Sequence, residues 1–498
     1  MSHELRGKDA EIGERGTRDQ ARRVVGRPDG SAIRPQESSL ERTSGLRRAL
    51  FHPIRSIPLA YLLVIIAGAA LLLLPASHAA SEAGSGITEA SELDAVMSAL
   101  FTSVSAVCLV GLSTVDTATY WSPFGQTVIL VLVQLGGFGI MAVATLLTTQ
   151  VRKGVGVRGT LVTEAETQTP DFGDVRAVLL RVARITVITE GIVLLLLAAR
   201  FWSEYDHNPG PALWHGLFQS VSAFNNAGFT LYSGNVAAFG GDPWIVVPVC
   251  VAVIVGGLGL PVIVALSRDG LRLRKWTVHV RLTVFGTLFL ILAGALLFGA
   301  FEWNRPGTLG QMDSGGKVLE SLSGSVFPRT AGFSGIDYGA ASPETLLVTN
   351  LLMFIGGGSA GTAGGIKITT FLILGYAIWT EVRGREDVTI GNRSISPSVQ
   401  RQALSVALIG LGTVLAGTLL LLMLTDFGLE RVLFEAVSAF SASGLSTGIT
   451  HLMPESAQWV LMALMFIGRI GTITVASALA LSSHPRLFRL PEERPIIG

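Results

Sequence analysis

A glycine recurs at positions 111, 228, 332 and 444, each time inside a similar segment. The four segments are Ser105-Ala-Val-Cys-Leu-Val-Gly111-Leu, Ser222-Ala-Phe-Asn-Asn-Ala-Gly228-Phe, Phe327-Pro-Arg-Thr-Ala-Gly332-Phe and Ser438-Ala-Phe-Ser-Ala-Ser-Gly444-Leu. A second glycine cluster follows each of them: Gly136-Gly-Phe-Gly139, Gly256-Gly-Leu-Gly259, Gly356-Gly-Gly358 and Gly468-Arg-Ile-Gly471. The clusters begin 25, 28, 24 and 24 residues beyond the central glycines. Two anchors at nearly constant spacing, four times over, mark an internal repeat, and a repeat limits the fold more than any local propensity.

What fills each repeat decides the fold class. Apolar stretches of bilayer length recur, among them Tyr61–Pro75, Val128–Leu147, Val246–Leu266 and Leu404–Leu424. The 498-residue chain is 49% hydrophobic and only 15% charged, against about 25% charged in soluble domains. An ordinary soluble enzyme and a singly anchored protein are both excluded. Between the long apolar segments lie pieces of half that length: Ala95–Ala106, Ala212–Ala223, Lys317–Phe327 and Arg431–Phe440. They are too short to span. Each unit therefore reads as membrane helix, pore helix, filter loop, membrane helix. The expectation is an all-α integral membrane protein with four consecutive repeats around one central pore, residues 56–150, 151–267, 268–381 and 382–485. Residues 1–55 and 486–498 are tails.

Charge orients the chain. Residues 1–55 carry 12 Lys+Arg against 8 Asp+Glu with no apolar period, the pattern of a disordered basic tail on the cytoplasmic side. Basic clusters return at Arg152 to Arg184, Arg268 to Arg281, Arg383 to Arg401 and Arg486 to Arg494. The segment Ser81–Asp94 between two apolar runs is acidic, with no Lys or Arg. Both termini are expected inside a plasma membrane, with eight crossings. Net charge is +1, so no basic field argues for nucleic acid. Cys108 and Cys250 make neither a disulfide framework nor a zinc site.

Non-helical backbone at membrane depth must be buried or line water. Four such strips around one axis form a ring of carbonyl oxygens able to replace the hydration shell of K⁺. Glycine supplies the backbone angles this needs. The candidate filter residues are Cys108, Leu109, Val110 and Gly111; Asn225, Asn226, Ala227 and Gly228; Arg329, Thr330, Ala331 and Gly332; and Ser441, Ala442, Ser443 and Gly444. Cys108 is expected to act through its carbonyl, and Arg329 to brace the third strip from behind. Asn225 and Asn226 either order the second strip or satisfy a turn.

Residues 353–379 are apolar but interrupted by Gly356, Gly357, Gly358, Ser359, Ala360, Gly361, Thr362, Ala363, Gly364 and Gly365. Six glycines in ten residues do not sustain a helix, and no Walker lysine follows. The stretch reads as an intramembrane gating loop. Lys367 closes it, either on loop carbonyls or by snorkelling. Arg469 lies mid-membrane at the repeat position of Gly137, Gly257 and Gly357, where an unpartnered charge is costly. Three roles stay open for it: a barrier to cations, a tie to the loop carbonyls, or a structural ion pair with Glu190.

Asn225-Asn-Ala-Gly-Phe229, Arg329-Thr-Ala-Gly-Phe333, Gly444-Leu-Ser-Thr-Gly448 and the run Gly356–Gly365 with Ile366-Lys367 resemble the Trk/Ktr/HKT superfamily of K⁺ transporters, most of all a Ktr-type (KtrB-like) membrane subunit. The resemblance covers about residues 55–485. Val110 stands where the family often has Thr, and Ser441-Ala-Ser-Gly444 is a less typical strip. The resemblance implies K⁺ uptake, a gating loop below the filter in the third repeat, and a homodimer with one pore per chain. It also implies a separate cytoplasmic ring of regulator-of-K⁺-conductance (KtrA-like) subunits, which alone would bind nucleotide; no cofactor is expected in this chain. Whether Na⁺ is required stays open. The competing reading is a secondary cation symporter working by alternating access, for which inverted repeats would be expected. No set of nucleophile, metal cluster or paired carboxylates suggests an enzyme.

Overall fold

The computed structural model describes residues 53–79, 89–154, 175–239, 241–385 and 387–471. The basic tail through His52, Glu82, Arg158, and the C-terminal segment with Arg486, Arg489 and Arg494 lie outside the described residues.

The chain is helical almost throughout, and the same order of elements occurs four times. The outer helices are Pro53–Leu72, Val175–Arg200, Val278–Glu302 and Pro397–Leu424. The pore helices are Glu89–Cys108, Pro209–Asn225, Ser314–Val326 and Leu429–Ser441. After each comes an irregular strip and then an inner helix, Pro123–Gly154, Pro243–Leu258, Pro343–Phe354 and Glu455–Phe466. The first pore helix runs 20 residues, longer than the half-length piece expected from its apolar core. Short polar caps set several starts. Asn208, Asp242 and Ser342 each accept a backbone N–H of the first turn and are each followed by proline, which fits the first helical position because it lacks an N–H. Asp313 caps the third pore helix through Gly315 and Gly316.

The outer helices turn apolar side chains outward; Leu195, Leu296 and Met423 are among the most exposed. Such faces suit hydrocarbon rather than water. Among the described residues, Leu180–Tyr205, Val278–Glu302 and Pro397–Leu424 are long and apolar enough to cross a bilayer. So is the pair Pro243–Leu258 and Leu260–Asp269, bent by 102°. Three of the inner helices are interrupted along their length. The second inner helix breaks at Gly259, with φ +89°. The third stops at Phe354 and resumes at Ile368–Val382. The fourth passes into a π turn at Ile467–Gly471.

The second glycine anchor lies at these inner helices, and packing explains three of its four glycines. A Cβ on Gly136, Gly256 or Gly468 would overlap the carbonyl oxygen of Val107, Phe224 or Phe440. Each of those carbonyls belongs to the last turns of the pore helix in the same repeat. Glycine lets the inner helix press against the pore helix. In the third repeat Gly356 packs instead on the carbonyl of Gly364, within its own loop. Outside the bundle, a hairpin pairs Thr389 with Ser394 and Ile390 with Arg393.

Candidate functional site

Three pore helices end in the same way. Leu109 N–H donates to Ala106 O (3.2 Å) and Val110 N–H to Ser105 O (2.8 Å). The second helix repeats this with Asn226 to Ala223 (3.2 Å) and Ala227 to Ser222 (2.9 Å), the fourth with Ala442 to Ala439 (3.3 Å) and Ser443 to Ser438 (2.9 Å). This is the Schellman closure, which needs one left-handed residue. Leu109, Asn226 and Ala442 take that role with φ of 56°, 56° and 54°. The third helix ends earlier, at Val326, and closes differently, with Ala331 N–H to Phe327 O (2.9 Å) and Thr330 N–H to Pro328 O (2.7 Å); there Thr330 is left-handed at φ 77°. Cys108, Asn225 and Ser441 are thus the last helical residues, and three of the strips begin one residue later than expected.

Two residues beyond each left-handed position stands the repeat glycine. Gly111, Gly228, Gly332 and Gly444 all have positive φ: 91°, 75°, 72° and 82°. They meet around one point. A Cβ on Gly111 would lie 2.5 Å from Ala227 O, and one on Gly228 would lie 2.7 Å from the Gly332 Cα. A Cβ on Gly332 would lie 2.9 Å from Ser443 O and 3.2 Å from Val110 O, while one on Gly444 would overlap Val110 O. Each strip touches its sequence neighbours, the fourth touches the first, and the first and third approach across the centre. The C-terminal, electronegative ends of the pore helices point into this constriction. Leu112, Phe229, Phe333 and Leu445 follow the glycines and are buried.

The side chains behind the strips face away from the centre. Asn225 Nδ2 donates to Val221 O (2.9 Å), Gln134 Oε1 (2.7 Å) and Glu190 Oε1 (3.2 Å). Glu190 therefore belongs to an amide cluster behind the second strip, and the ion pair with Arg469, one of the roles left open, is not formed. With its amide nitrogen toward Ala223 and Val253, Asn226 donates to both carbonyls at 3.1 and 3.2 Å. Arg329 is buried and reaches Thr287 of the third outer helix, at 3.5 Å to its carbonyl and 3.4 Å to its hydroxyl. It lines a small pocket with Val253, Gly257, Val326 and Gly357.

One feature of the repeat escaped sequence reasoning. A hydroxyl residue stands two places after every repeat glycine: Ser113, Thr230, Ser334 and Ser446. Ser113 and Ser334 donate to the carbonyls of Val115 and Ile336, and Thr230 accepts from Tyr232 N–H (3.3 Å). Extending the glycine alignment by two positions would have found it.

The glycine-rich loop packs beneath the strips. Its base is closed by Gly356 N–H to Ile366 O (2.9 Å) and Ile366 N–H to Phe354 O (3.2 Å). Gly358 N–H donates to Gly257 O (2.8 Å) and Thr362 N–H to Gly256 O (3.2 Å), both in the second repeat. On the other side, Gly364 lies against the Ser441 carbonyl and 2.6 Å would separate its Cβ from that of Ala442. The loop of the third repeat therefore spans from the second to the fourth. Two cations hold it. Lys367 Nζ donates to Ala363 O (2.5 Å) and Gly364 O (3.5 Å), so it reaches carbonyls rather than snorkelling. Arg469 Nη1 donates to Thr362 O (2.5 Å) and is buried, while its Nε and Nη2 find no hydrogen-bond partner among the described residues.

A fourfold helical bundle closing on a backbone-lined constriction defines a membrane protein built to handle a small ion. The family model for TrkH, a cation transport protein, matches residues 76–488. Ktr system potassium uptake protein B of Bacillus subtilis is 33% identical over 460 residues, covering 92% of this chain and all of that protein. Potassium/sodium uptake protein NtpJ of Enterococcus hirae is 30% identical, covering 91% and 98% of the two chains. The crystal structure of the potassium transporter TrkH from Vibrio parahaemolyticus shares the fold, with a TM-score of 0.63 at 18% identity over 84% of this chain and 82% of that one. The chain belongs to the TrkH cation transport family. It is a potassium or cation uptake transporter of the Trk/Ktr type and not an enzyme.

Proposed function

We propose that the chain conducts K⁺ through a filter made of the backbone carbonyls around Gly111, Gly228, Gly332 and Gly444. The observation that carries this reading is the meeting of those four glycines, all at positive φ, with the carbonyls of Val110, Ala227, Ala331 and Ser443. A carbonyl ring replaces hydration water around a partly dehydrated cation, and the pore-helix ends add a favourable field.

Below the filter, residues 356–365 act as the gate, with Lys367 and Arg469 as its clamps. The bonds from Gly358 and Thr362 to the second repeat, and from Arg469 to Thr362, support a loop held shut across the path. The protein acts as a homodimer in the plasma membrane, and the basic excess of residues 1–55 and of Arg486 to Arg494 puts both termini on the cytoplasmic side. Relatives that are named as part of a Ktr system favour a separate regulatory subunit, which in this reading is a nucleotide-binding cytoplasmic ring that releases the loop. The four filter-bearing units are residues 56–150, 151–267, 268–381 and 382–485.

The test is K⁺, Rb⁺ and Na⁺ flux from the purified chain in liposomes, with and without a cytoplasmic regulator. Parallel measurements use Gly111→Ser and Gly332→Ser. The expected result is K⁺ and Rb⁺ flux above Na⁺, raised by the regulator, with that preference reduced in both variants. Unchanged selectivity in both folded variants would refute the filter assignment.

A further inference from the structure

The four strips share one backbone design, yet their continuations beyond the glycine are held differently. In the first three repeats the hydroxyl at the second position bonds within its own turn, through Ser113, Thr230 and Ser334. In the fourth, Ser446 turns to a carboxylate. Glu435 Oε1 accepts from Ser446 Oγ (2.7 Å), Thr447 N–H (2.9 Å) and Thr447 Oγ1 (3.3 Å), and Glu435 Oε2 accepts from Thr450 Oγ1 (2.8 Å). Ser446 Oγ in turn accepts from Gly448 N–H (2.9 Å).

Glu435 lies on the fourth pore helix, nine residues before Gly444, and is fully buried. The equivalent positions of the other repeats hold Thr102, Gln219 and Ser323. A buried carboxylate is tolerated when hydrogen bonds take up its lone pairs, and charge-assisted bonds are stronger than neutral ones. All four donors come from residues 446–450, so the carboxylate ties the outward continuation of the strip to the rigid helix behind it. The other strips are held by other means: Ser105 Oγ accepts from Gly111 N–H (3.0 Å), Tyr232 bonds Asp206 and His215 (both 3.0 Å), and Asn235 Nδ2 donates to Gly332 O (3.5 Å). Among these contacts the fourth strip alone rests on a carboxylate of its own pore helix.

We propose that Glu435 is a positioning residue for ion selection: by fixing residues 446–450 it sets the direction of the Ser443 and Gly444 carbonyls. This rests on the filter reading above. The fourth strip is then the one whose geometry depends on a buried carboxylate of its own pore helix as well as on its backbone closure.

Two variants test it, Glu435→Gln and Ser446→Ala, each measured for K⁺/Na⁺ flux ratio per folded protein beside thermal stability. Gln keeps the shape, leaves an oxygen for Thr447, and offers Thr450 a donor its hydroxyl accepts, so folding survives. The expected result is a fall in the K⁺/Na⁺ ratio of about tenfold in Glu435→Gln, the equivalent of one charge-assisted hydrogen bond, and about threefold in Ser446→Ala. If Gly332→Ser lowers the ratio while both of these folded variants keep it, Glu435 is merely structural and the inference fails alone. If Gly332→Ser and Gly111→Ser also keep it, the filter reading itself has failed. Should Glu435→Gln not fold, Ser446→Ala decides: an unchanged ratio there overturns the proposal.

Discussion

Two glycine-rich regions touch in this molecule, and each needs glycine for a different reason. In the ring, all four repeat glycines hold positive φ. They also sit so close that side chains would collide with backbone from the neighbouring strips. In the loop at 356–365, Gly365 is the one glycine with positive φ. Gly356, Gly358 and Gly364 are there because a Cβ would overlap the carbonyls of Gly364, Leu258 and Ser441. The ring glycines shape a backbone; the loop glycines let a backbone lie flat against its surroundings. The first arrangement occurs four times and is built from rigid helix ends. The second occurs once and is tied down by bonds to other repeats. On the function proposed above, the ring is the part that must not move and the loop the part to be released.

The comparison breaks hardest at the ring. Gly444→Ala places a methyl group on the Val110 carbonyl and forces φ +82° on a residue with a side chain. The left-handed region costs such a residue about 1–2 kcal/mol before any clash. We expect the K⁺/Na⁺ flux ratio to fall by on the order of tenfold or more, and growth of a K⁺-uptake-deficient strain at low K⁺ to be lost. Gly228→Ala, whose Cβ would lie 2.7 Å from the Gly332 Cα, should behave alike. Full rescue by both would show that the ring is a packing motif.

The loop should respond in the opposite sense, with more flux rather than less discrimination. Deleting residues 357–364 leaves ends that are already paired, since Ile355 and Ile366 form a parallel bridge. Basal K⁺ flux should rise about tenfold, taking the lost loop contacts as about two net hydrogen bonds, and a regulator should alter it less. A folded deletion variant that conducts no faster than the parent makes the loop a packing kink. Arg469→Ala removes both a positive charge and the tie to Thr362. Flux per folded protein should rise about fivefold. Arg469→Lys should fall between, since it keeps the charge but loses the planar fork. Lower flux per folded protein in Arg469→Ala would leave that residue a structural role only.

The ring was legible in the sequence because glycine is the letter that marks positive φ, and four copies at regular spacing compensate for the ambiguity of any one. The left-handed residues before it were not: nothing distinguishes Leu109 or Ala442 from a helical residue until the Schellman closure is seen. The loop was legible as a failure of helix, and its charged neighbours as unusual at that depth. Their partners were not, because Arg469 to Thr362 and Glu190 to Asn225 are tertiary contacts over 107 and 35 residues. Glu435 was passed over for the same reason. Within its helix it is one acid among apolar neighbours, and only the fold brings residues 446–450 back onto it.

Lys367 offers the finest division between the two regions. Its ammonium clamps the carbonyls of Ala363 and Gly364 at the end of the loop nearest the fourth repeat. The lysine belongs to the loop alone, since its bonds stay within four residues of its own position. Lys367→Met keeps the apolar stem and removes the donors, leaving two carbonyls without their cation. The loop then loses one internal restraint but keeps its bonds to Gly256, Gly257 and Arg469. Basal flux should rise only about two- to threefold, as for one modest hydrogen bond, while the K⁺/Na⁺ ratio stays at the parent value. A changed ratio with unchanged flux would mean that Lys367 acts on the strip through Ser441 and Ala442, and that ring and loop are one mechanical unit rather than two.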